Sequence, residues 1–171
     1  MQKKNIFSKF ESLLKKSKFH MVDIGTKKNT HRKALAMGKI IVGKKAYQII
    51  KKNNLPKGDV FKASEIAGIN GAKKAAEMIT LCHPLEINKI AVIIKLNSDK
   101  DSLSVFCLVT AFSKTGVEME ALSGVNNALL TIYDLTKMIE PNLKIENICL
   151  IAKEGGKRGY WENSNFKKKD L

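Results

Sequence analysis

The 171-residue chain predicts an α+β fold, a ferredoxin-like antiparallel sheet with helices packed on one face. Three observations carry that expectation. Hydrophobic periodicity runs in the order strand, helices, strand, strand, helix, strand, which is the pattern of a split βαβ unit. Breaker-rich clusters at 53–59 and 97–101 fall between those runs, and Pro84 and Pro141 follow the helical ones. The length suits one domain, long enough to bury a core without disulfides or a structural metal.

The elements follow in order. Residues 1–19 are Lys-rich and weakly amphipathic and read as a mobile or loosely docked tail. Apolar and polar residues partly alternate over 31–42, ending in Lys39-Ile40-Ile41-Val42, which predicts a strand. Gly43 opens a helical stretch through Ala46, Ile49 and Ile50, closed by the turn at 53–59. Over 60–79, Phe61, Ile66, Ile69, Ala72, Ala76 and Ile79 recur near helical spacing, so one helix is expected there, ending before Pro84. Gly68 and Gly71 weaken that helix and imply either close packing or a break. The β-rich runs 87–96 and 103–112 make a hairpin. Thr115-Gly116-Val117-Glu118 has the spacing of a capping box, and Met119, Leu122, Val125, Leu129, Ile132 and Leu135 line the apolar side of the helix after it. A last strand is expected over 145–152, and from Lys153 the chain is polar and Gly-containing and reads as mobile. One face of such a sheet lacks helices to cover it, which predicts oligomerisation through that face.

Composition narrows the function. The formal charge of +15 is almost all lysine, since Arg32 and Arg158 are the only arginines. Base-specific readers rely on bidentate Arg contacts, and stacking aromatics are few, so the charge reads as a solvated surface able to steer a polyanionic substrate. No run of apolar residues is long enough to span a membrane. The N-terminus has no apolar signal core or small-residue cleavage site, and Glu11 with scarce Arg argues against a transit peptide. Cys82, Cys107 and Cys149 are odd in number and far apart, which suits reduced thiols and a cytoplasmic location.

Several short constellations could carry chemistry. Lys57-Gly58-Asp59 precedes a helix; Lys57 is either a general acid or base or a solvated lysine beside an Asp59 helix cap. Leu81-Cys82-His83-Pro84 sets a thiol next to an imidazole, but neighbouring side chains on extended backbone point apart, so a nucleophile–base pair is disfavoured. His83 then either bonds within the structure or contacts a substrate. Zinc fits poorly, because no Cys-x-x-Cys or His-x-x-x-His spacing exists. Glu118 has an explanation as a cap, whereas Glu120 has none. Asp134 and Lys137 share a helix face, either as a surface ion pair or as a functional one. Glu120, Asn127 and Asp134 recur every seven residues as a polar stripe. On a continuous helix Glu120 and Asp134 stand about 21 Å apart, at a rise of 1.5 Å per residue. If both are functional, a single small substrate meets them only when two subunits combine. Lys153-Glu154-Gly155-Gly156-Lys157-Arg158-Gly159 is either a phosphate-wrapping segment or a flexible tail.

Taken together, these blocks are distinctive. His20-Met21-Val22-Asp23, Lys57-Gly58-Asp59-Val60-Phe61, Ile66-Ala67-Gly68-Ile69, Leu81-Cys82-His83-Pro84-Leu85, the 114–122 segment beginning Lys114-Thr115-Gly116, and Leu130-Thr131-Ile132-Tyr133-Asp134 occur in this order. Over about 20–159 the chain closely resembles the cyclic pyranopterin monophosphate synthase family, the MoaC family of molybdenum cofactor biosynthesis. That resemblance implies a catalytic domain over 20–159, between a basic tail at 1–19 and a polar one at 160–171. It implies a lyase that converts a cyclised dihydroguanosine triphosphate to cyclic pyranopterin monophosphate and pyrophosphate, with no redox cofactor, and no metal-ligating residue is expected among the site residues. It also implies a homohexamer, a trimer of dimers, with its sites between subunits. No membrane and no specific nucleic acid are expected as partners.

By the same resemblance the catalytic residues fall on Lys57, Asp134 and Lys137. Substrate binding falls on Leu81, Cys82, His83, Met119 and Glu120, and further on Glu118, Arg32, Lys73 and Lys153. Two departures, Ser64-Glu65 and Ser113, lie off these positions. A rival reading is a non-catalytic RNA-binding sheet, which would need exposed aromatics such as Phe106 and Phe112 on one strand face.

Overall fold

The computed structural model describes residues 6–14, 19–98 and 100–167. Among the described residues ten elements follow in order: α1 (Ile6–Leu14), β1 (Thr30–Ile41), α2 (Gly43–Lys51), α3 (Val60–Lys73), α4 (Ala75–Met78), β2 (Lys89–Asn97), β3 (Ser102–Ser113), α5 (Glu118–Thr136), β4 (Lys144–Glu154) and β5 (Trp161–Glu162). The strands form one antiparallel sheet in the order β2-β3-β1-β4-β5. β3 therefore lies between β1 and β2, and β1 lies between β3 and β4. The expected α+β class and the strand–helix order both hold.

Alternation decides which face is buried. Ala34, Ala36 and Ile40 of β1 and Val105, Cys107 and Val109 of β3 point to the helices and join Ala121, Val125, Leu129 and Ile132 of α5 in the main core. Gly38 faces the same way, and a Cβ there would lie 2.6 Å from Leu129 and 2.8 Å from Val125, so α5 rests directly on the β1 backbone. α3 packs beside α5 through glycines. A Cβ at Gly71 would stand 2.5 Å from that of Asn127, and one at Gly124 would stand 2.6 Å from the Cys107 sulfur. Of the two readings of Gly68 and Gly71, close packing is the one observed. The break falls later, at Lys74, between α3 and α4.

The opposite sheet face carries a small second core of Met37, Phe106 and Ile151, packed by Leu35, Cys149 and Phe166. The chain after β4 supplies part of this cover. Trp161 pairs with Lys153, Asn163 donates its backbone N–H to Ile151, and Phe166 lies on the cluster. The polar stretch after Lys153, read as mobile from its composition, thus contains a strand and an apolar anchor, and β4 continues past 152 to Glu154. Phe106 is buried and Phe112 packs on the His31 ring at 5.1 Å, so the pair does not form an exposed stacking platform. Within the N-terminal tail, residues 1–5 and 15–18 lie outside the described residues. α1 between them shows Ile6, Phe7, Phe10 and Leu13 to solvent.

Candidate active site

Lys57 sits in the turn before α3, and Asp59 caps that helix by accepting from the backbone N–H groups of Phe61 at 2.9 Å and Lys62 at 3.1 Å. The cap directs Lys57 away from α3 and onto the far end of α5. There its ammonium donates to Asp134 Oδ2 at 3.0 Å and to the Asp134 carbonyl at 3.2 Å. Lys137, one turn after Asp134, pairs with Oδ1 at 2.7 Å. One carboxylate therefore bridges two ammonium groups. These bonds, from Lys137 first and then Lys57, hold the Asp134 carboxyl below its usual range, and Asp134 in turn pushes the Lys137 ammonium up. Asp59 is the helix cap that one reading of the motif expected, and Lys57 is engaged by a carboxylate 77 residues away.

The other end of α5 builds a second cluster. Glu120 is 3% exposed, and its Oε1 accepts from the Cys82 thiol at 3.7 Å. Among the described residues Glu120 Oε2 has no hydrogen-bond partner. Burial raises the Glu120 carboxyl above the usual carboxylate range. Burial, and then the charge of Glu120, raises the Cys82 thiol. His83 turns away from Cys82 and donates from Nε2 to the Val22 carbonyl at 2.7 Å. The two side chains therefore point apart, as extended backbone requires. The Val22 carbonyl is a partner that the residue pattern did not assign.

The expected capping box at Thr115 is not formed. The helix starts at Glu118, with Val117 at the cap position and no side-chain cap bond. Thr115 stands two residues before the cap position rather than at it. Glu118 instead folds over Gly116, where a Cβ would clash with its carboxylate, and pairs with Lys153 at 2.8 Å. Arg32 lies beside this pair, held by Nε to the Ser113 carbonyl and Nη2 to the Lys114 carbonyl, each at 3.3 Å. Leu81 and Met119 are exposed apolar side chains. Lys73 is exposed in the last turn of α3 and makes no ion pair among the described residues.

Two groups thus stand at opposite ends of one continuous helix. Lys57, Asp134 and Lys137 form one; Cys82, Glu120, Glu118, Lys153 and Arg32 gather around the other. Asn127, midway along the polar stripe, is spent on structure: it donates to the Ala67 carbonyl of α3 at 2.6 Å. Among the described residues no three of His, Cys, Asp and Glu gather as a metal site, and no helix is long and apolar enough to cross a membrane.

A model of the MoaC family matches residues 21–156. The chain belongs to the MoaC family. It is 43% identical over 156 residues to the cyclic pyranopterin monophosphate synthase of Campylobacter jejuni, an alignment that covers 91% of this chain and 99% of that one. It is 45% identical over 139 residues to the Helicobacter pylori protein of the same name, covering 81% and 88%. It is also 44% identical over 142 residues to a molybdenum cofactor biosynthesis bifunctional protein of Synechococcus elongatus, which covers 83% of this chain but 44% of that longer one. Both clusters lie within the MoaC match, while α1 and β5 lie outside it.

Proposed function

We propose that this MoaC-family chain is a cyclic pyranopterin monophosphate synthase, a lyase of molybdenum cofactor biosynthesis. Its substrate is a cyclised dihydroguanosine triphosphate, converted with release of pyrophosphate. The observation that carries this reading is the Asp134 carboxylate bridged between the Lys57 and Lys137 ammonium groups. Opening a guanine-derived ring and closing a pterin needs proton transfers at nitrogen and carbon, and a carboxylate bonded to two ammonium groups can relay a proton between them without changing the total charge of the group. A bound substrate that excludes water from the Lys137 ammonium opposes the rise that Asp134 imposes on it and favours the neutral amine, which can act as base.

The other cluster suits recognition. Glu120 Oε2 is a buried acceptor that an N–H of the purine-derived ring can satisfy. Arg32 and Lys153 supply charge for the phosphates, and Leu81 and Met119 supply apolar contact; Lys73 and His83 complete the binding set. The ends of α5 are about 21 Å apart by helical rise, so one substrate reaches both only across a subunit boundary. The active enzyme is therefore a homo-oligomer whose Lys57–Asp134–Lys137 group acts on substrate held by a neighbour, and the family resemblance implies that this oligomer is a hexamer of three dimers. The free thiols of Cys82, Cys107 and Cys149 suit work in the cytoplasm.

The test is turnover of the cyclised guanosine triphosphate, followed as pyrophosphate release and pterin formation. Asp134→Asn and Arg32→Ala should each be nearly inactive. Mixed oligomers refolded from the two should regain part of the activity, because some sites then draw intact residues from both chains. Normal turnover by Asp134→Asn would end the reading, and failure of the mixture would end the shared site.

A further inference from the structure

We propose that the loop at 155–159, through Lys157 and Arg158, completes an anion pocket with Arg32 and Lys153. This pocket takes the terminal phosphates of the substrate and holds the pyrophosphate as it leaves. The inference rests on the synthase reading and adds two residues that reading does not use. The pocket has a volume of about 130 Å³ and is bordered by Arg32, Lys33, Lys153, Lys157 and Arg158 against two carboxylates. That volume is roughly four waters at about 30 Å³ each, room for a group of phosphate size. An excess of cations around so small a space selects a multiply charged anion.

The backbone is built to bring this loop onto Arg32. Gly155 has φ +106° and Gly156 has φ +73°, a region that side chains disfavour. A Cβ at Gly155 would run into the His31 carbonyl, and one at Gly156 into the Arg32 guanidinium. The loop closes on itself through Gly155 N–H to the Gly159 carbonyl and Gly159 N–H to the Gly156 carbonyl, both 3.2 Å. That closure sets Lys157 and Arg158 at the pocket rim. Arg32 is fixed by its two carbonyl bonds, and its Nη1 end lies by Gly156. Inside the pocket the Glu118 carboxylate holds Lys153 at 2.8 Å, so an entering phosphate competes with Glu118 for that ammonium. A hydroxyl of the substrate attacks the α-phosphorus and gives up its proton to water, and the P–O bond from the α-phosphorus to its bridging oxygen breaks as the cyclic ester forms. The electron pair goes to the departing pyrophosphate, and the loop cations receive that charge.

Calorimetric titration of the full chain with inorganic pyrophosphate tests this without needing turnover. Lys157→Ala/Arg158→Ala should weaken pyrophosphate binding about tenfold or more, as expected for loss of two charge-assisted contacts. In the turnover assay the same variant should raise KM more than it lowers kcat. Glu118→Gln should tighten pyrophosphate binding by removing the competitor. Lys39→Ala/Lys100→Ala removes the same charge from a cavity on the outer sheet face and should leave binding nearly unchanged. Equal losses in the two double variants would mean that net charge alone is responsible, and the proposal would fall. Unchanged pyrophosphate affinity in Lys157→Ala/Arg158→Ala would also overturn it, leaving the synthase reading intact. A protein that binds pyrophosphate through this loop yet never turns over would instead sink the synthase reading.

Discussion

Replacing Gly71 with alanine should loosen the fold and the Lys57–Asp134 contact together. In an unconstrained helix the change stabilises by about 1 kcal/mol, because glycine is the poorer helix former. Here the new Cβ would stand 2.5 Å from the Asn127 Cβ and 2.8 Å from the Ser123 carbonyl oxygen. Ordinary contact begins near 3.4 Å, so α3 and α5 must part by roughly 1 Å, and forced overpacking of this kind costs about 1–3 kcal/mol. The shift also stretches the Asn127–Ala67 bond, worth about 0.5–1.5 kcal/mol. The net is a loss of about 1–3 kcal/mol, a fall in Tm of about 2–10 °C at this size. Lys57 enters the site from the start of α3 and Asp134 from the end of α5, so the same displacement spoils their alignment. A misplacement of about 1 Å can cost about 100-fold in rate. Urea denaturation and turnover on the same preparation check both halves. A Gly71→Ala protein more stable than the parent would refute the close-packing argument, and one less stable but fully active would refute its link to the site.

Two further predictions concern titration and thiols. The folded Glu120 carboxyl titrates above its unfolded value, so the native state binds the extra proton and stability is lost as pH rises from about 4.5 through the folded pKa. Glu120→Gln should therefore raise Tm at neutral pH and flatten that slope; an unchanged slope in thermal melts from pH 4 to 8 would contradict it. Asp134 and Asp59 act in the opposite direction: their lowered folded values give stability present above the unfolded value and lost on acidification. Burial pushes Cys107 up to about 12, so it should resist a thiol reagent in the native protein at pH 7.5 and react on unfolding. Cys82 and Cys149, raised but partly exposed, should react slowly, and rapid labelling of all three thiols would be inconsistent with the packing.

Much of the fold was legible because its signals are local. Each of the four long strands and α2, α3 and α5 announces itself by period and by flanking breakers. The misreadings came where distant chain segments decide. The capping-box spacing at 115–118 is a local pattern, but Glu118 is claimed by Lys153 from the last long strand. β5 is two residues long and exists only because β4 lies beside it, so no periodicity could mark it. Phe166 likewise reads as a tail residue until Met37 and Phe106 are set under it. At the site, spacing alone left Lys57 and the Asp134–Lys137 pair open between a functional role and ordinary surface charge. Family resemblance singled them out, and the fold brings them within bonding distance. The polar stripe on α5 was read correctly as a geometry, yet its middle member, Asn127, serves packing.

The two margins of the sheet bear on how this chain can associate. A two-residue strand and the Asn163 amide occupy part of the β4 margin, which is further distorted by register shifts opposite Leu35–Ala36 and Met37–Lys39 and by a positive-φ Asn147. The opposite margin, β2, carries Lys89 and Lys95, and side-chain charge there penalises docking of another strand. A bulged, partly occupied border and a cationic one both discourage ladder extension from copy to copy. The open-ended, fibre-forming route is thus the one this architecture disfavours, and contact between copies is left to faces and helix ends, where a finite assembly can close.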